Sequence, residues 1–582
     1  MTVNEDSDPL HYADIYVNRD VPVRMRDGTI LYADVWRPRA TGRFPVLIER
    51  TPYGPDSPER VLGAGEYLAR RGYVVVIQDV RGRYRSPGRF SPFASEGWGV
   101  NKDGYDTIEW AAKQPWSNGK VATIGGSYSG VTQYMAAATR PPHLVCQVAR
   151  EAPSSFFRQW VYRGGAFELA FNTEWALRHT ADQRHRFPED DRSDEAYRAL
   201  TASYCEDLES WFGHLPIHPL PPLRDLALWH SEFLGHAVDG PYWRQWAVSD
   251  QYARFGVPIL HVGGWFDIFL QGTIDNYVGI RETAESPTVR DTQRLLIGPW
   301  THGAKEMTRS VAGDQDFGQD AAVDALAYRM PWLDHCMKGE SSAEMDEPPV
   351  KIFTMGTNRW QSFDTWPPRR ARAVRWYLRS GSSGSARSLN DGSLSLERPD
   401  VNEPPDEFTY DPADPIPTLG GNTLGIPSGP MDQRPVEERC LTYTSAPLDR
   451  DIEVTGPVTA TVFGLSSAPD TDWVVRLSDV HSDGRSMPVC DGILRARFRE
   501  SWTEPKLLDG TVQRFDVDLW ATSNVFRRGH RLRVAVTSSS FPRWDRNLNT
   551  GGENALASAG VDAVNSVFHD AQHPSFIEVS VV

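Results

Sequence analysis

Between residues 44 and 151, short runs rich in β-branched residues, FPVLIER (44–50), YVVVIQD (73–79), KVATIG (120–125) and HLVCQVARE (143–151), alternate with helix-like pieces such as GEYLARRG (65–72) and YDTIEWAAKQ (105–114). No other feature constrains the fold as strongly. Strands this uniformly apolar must be covered on both faces, and strands separated by a helix run parallel, because the helix carries the chain back across the sheet. The rhythm stops near Pro153 and resumes at VPILHVGG (257–264) and RLLIGPW (294–300). Ahead of it, VPVRMRDGTILYADVWRP (21–38) alternates on both sides of Asp27-Gly28, which predicts an antiparallel hairpin with a type I′ turn.

The interruption, about 154–245, leans helical and is crowded with rings. Residues 156–175 hold Phe156, Phe157, Trp160, Tyr162, Phe167, Phe171 and Trp175, seven in twenty positions against 11% for the chain. Such a segment covers something apolar; most of the rings are expected to pack between cap helices and a few to line a ligand pocket at a domain junction. From residue 351 onward the texture is all strand: VTGPVTATVFG (454–464), DWVVRLSDV (472–480), GILRARFRE (492–500), RFDVDLWAT (514–522) and RLRVAVTSS (531–539), with the Pro/Gly-rich connection DPADPIPTLGGN (411–422) before them. The expected organisation is therefore an α/β core in two parts (1–153 and 246–350), a helical cap (154–245) and a β sandwich or jelly-roll (351–582).

Composition removes several functions. With 61 basic and 77 acidic residues the net charge is −16, the wrong sign for nucleic acid. Five cysteines (146, 205, 336, 440, 490) are scattered without C-x-x-C pairs, which fits a reducing compartment. The N-terminal MTVNEDSDPLHYADIY lacks an apolar core of the secretory type, and no run approaches a membrane span. A cytoplasmic protein is expected. His214 and His218 have i,i+4 spacing, but HLPIHPLPP is a proline-broken loop, so neither metal nor cofactor is expected.

VATIGGSYSG (121–130) ends a strand-like run at Ser127 and continues into VTQYMAAA. The stretch reads either as a plain Gly/Ser turn or as a nucleophile elbow, a strained strand-to-helix corner that holds a serine hydroxyl clear of the backbone. An elbow needs small residues two before and two after the nucleophile. Gly125 and Ser129 fill those places, so the strict G-x-S-x-G pattern is missed by one position. A hydroxyl needs a base, and His302 in LLIGPWTHG follows the last strand of the α/β unit; Asp267 in LHVGGWFD follows the strand before it. The chain order Ser, Asp, His is the α/β-hydrolase order. Acyl transfer also needs oxyanion donors; in that fold one is the N–H after the nucleophile, here Tyr128, and the other comes from IERTPYG (48–54), where Tyr53 is either a phenol donor or a packing residue.

GGSYSG, RTPYG, GGWFD and GPWTHG, with VVIQDVRG (75–82) and ATSNVFRRGHR (521–531), strongly resemble the bacterial cocaine-esterase group, which includes X-Pro dipeptidyl-peptidases and α-amino-acid ester hydrolases. The resemblance runs nearly end to end. It implies an α/β-hydrolase core, helical cap and C-terminal jelly-roll, with Ser127 as nucleophile, His302 as base, Asp267 as its orienter, Tyr53 and Tyr128 as oxyanion donors, and Phe269 and Trp175 in the substrate pocket. The α-amino-acid ester hydrolases carry further carboxylates just after the catalytic Asp, where this chain has the apolar DIFLQG (267–272). Beyond Glu168 and Glu174 in the cap, no anion offers itself for a substrate's ammonium. A small neutral or aromatic acyl ester is the expected substrate, amide cleavage by an acylase or X-Pro peptidase the alternative, and a carbohydrate- or protein-binding module the reading from another class. A homodimer through the β domain is compatible with the sequence.

Overall fold

The computed structural model describes residues 12–181, 200, 202, 207–224 and 226–582. Most of the acidic N-terminal stretch and part of the expected cap, with Cys205, lie outside the described residues. The first sheet has ten strands: β1 (Ile15–Arg24), β2 (Ile30–Pro38), β3 (Phe44–Thr51), β4 (Val74–Asp79), β5 (Ser117–Gly126), β6 (Leu144–Arg150), β7 (Ile259–Gly264), β8 (Arg294–Gly298), β9 (Val350–Thr354) and β10 (Arg359–Phe363). Their spatial order is β1-β2-β4-β3-β5-β6-β7-β8-β9-β10. β4 through β9 pair in parallel, while β1, β2 and β10 are antiparallel edges. Every residue of β3, β4 and β7 is buried, as two-sided coverage of a parallel sheet requires. The covering helices include α1 (Ala64–Arg70), α2 (Asp103–Ala112) and α3 (Tyr128–Ala137).

The β1–β2 hairpin forms, but its turn is not type I′. Gly28 takes φ +88° while Asp27 does not enter the positive region. The Gly28 N–H donates to the Met25 carbonyl and the Met25 N–H to that of Thr29, so a longer loop with one left-handed glycine joins the strands.

Between β6 and β7 the chain forms short helices, among them Phe156–Gln159, Leu208–Gly213, Leu228–Gly235 and Pro241–Arg244, and the longer α4 (Leu169–Ala181). All seven rings counted in 156–175 are buried. Phe157 and Tyr162 pack on Trp243, and Phe157 also meets Phe498 of the C-terminal domain. These are structural rings.

The C-terminal domain is all β. Its eleven strands, from Arg372–Arg379 to Phe576–Val581, join in one hydrogen-bonded network. Its longest strand, Ile452–Ser466, pairs with both Gln513–Phe526 and Phe576–Val581, around a core that includes Val458, Trp473, Phe515 and Ile577. β9 and β10, at the expected junction between the units, pair with the first sheet.

The cap is tied to the β domain as well as to the sheet. Arg163 lies 3.6 Å over the Trp520 ring and donates to the Asp491 carbonyl. The Phe167 N–H donates to Asp545 at 2.7 Å, and Trp544 Nε1–H to Glu168 at 2.9 Å.

Candidate active site

Five neighbouring parallel strands, β3, β5, β6, β7 and β8, release the chain at the same edge of the sheet, where ligands bind in open α/β folds. Tyr53 follows β3, Ser127 follows β5, Glu151 follows β6, Asp267 follows β7 and His302 follows β8.

Ser127 stands alone between β5 and α3, with φ 60° and ψ −126°, a conformation costly for a non-glycine residue. Its N–H donates to the Arg150 carbonyl of β6 at 3.0 Å. A Cβ on Gly125 would come within 2.7 Å of Ser129 Cβ, and one on Gly130 within 2.6 Å of the Arg150 carbonyl. The corner therefore closes only with glycine at both places. Ser129, the departure from the strict elbow pattern, is fully buried and donates to Glu49 Oε1 at 3.0 Å. Burial, with the charge of Glu59 beside it, pushes the Glu49 carboxyl up to about 8.

Asp267 and His302 meet as expected. His302 Nδ1 is 2.9 Å from Asp267 Oδ1, and the Phe269 N–H also donates to that oxygen at 2.9 Å. Nδ1 is thereby occupied and Nε2 left for a proton acceptor's work. Burial alone would lower the imidazole pKa; the charges of Asp267 and Glu151 and the Asp267 hydrogen bond outweigh it, so the net shift is upward. In this resting geometry Ser127 Oγ bonds with Tyr53 Oη at 3.4 Å, not with His302. Base–nucleophile contacts often tighten only with substrate bound.

Tyr53 has both faces that the sequence left open. Its ring packs edge-on to Tyr128 (6.4 Å) and tilted on His179 (5.0 Å), while its hydroxyl reaches that of Ser127. Burial raises the phenol pKa, opposed in part by the Ser127 hydroxyl and the Tyr128 N–H; the group stays a neutral donor at neutral pH. Phe269 sets its ring against His302 at 5.4 Å, and Trp175 lies parallel to Tyr128 at 6.5 Å. Trp160 bridges the two, 5.1 Å from Phe269 and 6.0 Å from Trp175. The buried Trp175 indole also faces the Tyr53 hydroxyl and, like Ser127, opposes the rise of its pKa. Glu168 Oε1 accepts from Trp544 in the inter-domain tie, while its buried Oε2 has no hydrogen-bond partner among the described residues.

Two residues escape sequence reasoning. Asn422, buried in the C-terminal domain, donates from Nδ2 to the carbonyls of both Trp265 (2.8 Å) and Asp267 (3.0 Å). The loop bearing the acid is thus held from outside the sheet; a lone Asn in a Gly-rich connection gives no local signal of that. Glu151 accepts from the Gly303 N–H at 3.0 Å. Its position directly after a strand of the alternating unit was the signal that could have found it. Among the described residues the four cysteines are free, and no helix is long and apolar enough to cross a membrane.

The family described as X-Pro dipeptidyl-peptidase (S15 family) matches residues 27–304, and that described as X-Pro dipeptidyl-peptidase C-terminal non-catalytic domain matches 342–578. Cocaine esterase of Rhodococcus sp. (strain MB1 Bresler) is 34% identical over 97% of this chain and 98% of its own. Among solved structures, an α-amino acid ester hydrolase aligns over 100% of both chains at 26% identity with a TM-score of 0.81. An aminopeptidase from a marine sediment Thaumarchaeota archaeon aligns over 100% of this chain and 99% of its own, also at 26% identity and 0.81.

Proposed function

The chain belongs to the family of cocaine esterase and the S15 X-Pro dipeptidyl-peptidases, and from that premise we propose that it is a serine hydrolase cleaving small neutral or aromatic acyl esters through an acyl-enzyme. Ser127 Oγ attacks the ester carbonyl as His302 Nε2 takes its proton. Tyr53 Oη and the Tyr128 N–H receive the negative charge that develops on the carbonyl oxygen. Asp267 holds the imidazole by Nδ1 and stabilises the imidazolium, which returns the proton to the leaving alcohol; water then frees the acyl group by the same steps. The enzyme needs no metal or cofactor for this chemistry, and we place it in the cytoplasm, in keeping with the four free cysteines among the described residues.

The observation that carries the reading is the convergence at one sheet edge of a serine in a strained corner, a phenol facing its hydroxyl and an Asp267–His302 pair at 2.9 Å. An activated aryl ester is expected to give a burst followed by turnover, and Ser127→Ala to abolish both. Full activity in that variant would refute the assignment. Amide cleavage is the second reading, favoured by the S15 match. The apolar Ile268, Phe269 and Leu270 after the acid weigh toward esters. Parallel rates on short-acyl esters, benzoyl esters and Xaa-Pro amides decide between them.

A further inference from the structure

β6 and β7 separate the nucleophile strand from the base strand. The end of β6 touches both sides: the Arg150 carbonyl accepts the Ser127 N–H, and Glu151 Oε1 accepts the Gly303 N–H next to His302. Glu151 is 1% exposed and has φ +50°, a conformation that disfavours any residue with a Cβ. Its own N–H donates to the Val262 carbonyl of β7 at 2.8 Å, which locks the turn. The second carboxylate oxygen lies 3.9 Å from His302 Nδ1, on the ring nitrogen that Asp267 already engages. A buried, backbone-strained acid aimed at an imidazole is more than turn geometry requires.

We propose that Glu151 is a positioning residue that clamps the His302 loop through Gly303 and shares with Asp267 the stabilisation of the imidazolium formed during acyl transfer. The inference rests on the reading of His302 as the base. The need for a second negative charge lies in the surroundings. The Arg150 guanidinium is 3.4 Å from Glu151 and opposes protonation of His302. Glu59 sits 3.9 Å from Arg150 but is itself engaged at 2.7 Å by Arg329, and Tyr328 also faces Arg150. With Asp267 alone, the imidazolium would form against an adjacent, buried arginine. Glu151 cancels that field at the point where it matters.

The test is the pH profile of aryl-ester turnover. In Glu151→Gln the amide oxygen can still accept from Gly303 but the charge is gone. Plateau kcat is expected to fall about tenfold with KM little changed, and the acid limb of kcat/KM to move down by about one pH unit, the size of effect an opposite charge at this range exerts. A folded Glu151→Gln enzyme with the wild-type plateau and limb overturns the inference. Glu151→Asp keeps the charge and shortens the reach, and it is the variant to read if Glu151→Gln does not fold. It is expected to retain the wild-type limb and lose kcat through the broken Gly303 contact; wild-type kcat in it overturns the clamp. Turnover surviving in His302→Ala would instead sink the assignment of the base itself, leaving the two failures distinct.

Discussion

Replacing Tyr53 by Phe removes one oxygen from the candidate oxyanion site and little else. The ring keeps its edge contact with Tyr128 and its tilted contact with His179. In the resting state the hydroxyl stands 3.4 Å from Ser127 Oγ, long for an O–H···O bond, whose usual length is about 2.7–2.8 Å. Ground-state stability and substrate affinity therefore have little to lose. The transition state is different. The phenol stays protonated because burial raises its pKa, and it can shorten its bond to an oxygen that gains charge. A single preorganised oxyanion donor contributes roughly 2.7–4 kcal/mol, or about 10²–10³ in rate. Since the Tyr128 N–H remains, the lower end of that range is expected: kcat down about a hundredfold, KM nearly unchanged. Stopped-flow mixing with a chromogenic aryl ester should show the acylation burst slowing by the same factor as steady-state kcat/KM, with an unaltered thermal melt. An unchanged burst rate in a folded variant would remove Tyr53 from the oxyanion hole. A raised KM at constant kcat would make it a binding group only.

The acid limb of wild-type kcat/KM should lie above pH 6.5, because His302 must be neutral to act as base and its pKa is raised from that ordinary value; a limb below 6.5 on the pH–rate profile contradicts the pairing. Asn422→Ala leaves two buried carbonyls without their shared donor and should cost about 1–3 kcal/mol in chemical denaturation. Turnover should fall with it, since the loop carrying Asp267 loses its brace, and full kcat at reduced stability would confine Asn422 to a structural role. At Gly164, where φ is +56°, an added Cβ would sit 1.7 Å from the Ile493 carbonyl. Gly164→Ala is therefore expected to destabilise the fold by about 3 kcal/mol or more, read as a lowered melting temperature, and a wild-type melt would mean the cap–β contact gives way easily.

The parts legible in the sequence are those with a local physical cause. The parallel strands announce themselves because two-sided burial demands continuous apolar runs, and β3, β4 and β7 are buried throughout. Ser127 is legible because its corner excludes a Cβ at Gly125 and Gly130. Asp267 and His302 follow from strand ends in a known chain order. The rings of 156–175 were visible as a group, but no periodicity separates Phe157, which packs on Trp243, from Trp175, which lies over Tyr128; only the tertiary path of the cap does so. The turn at Gly28 was misread because hairpin geometry depends on register, which one strand's residues do not encode alone. Asn422 was invisible for a plainer reason: its partners are carbonyls some 155 positions away, and a backbone acceptor has no sequence signature.

The amide of Asn422 means that the C-terminal half, though built as a separate β unit, cannot be exchanged as a passive appendage. Swapping that half between relatives, or trimming it to obtain a minimal hydrolase, would alter the tension on the acid loop even with every reacting atom intact. The ties from Asp491, Asp545 and Trp544 to the cap extend the same dependence to substrate choice. Libraries meant to retune acyl preference should accordingly sample positions well beyond the candidate site, on the distal module that is tied to the cap.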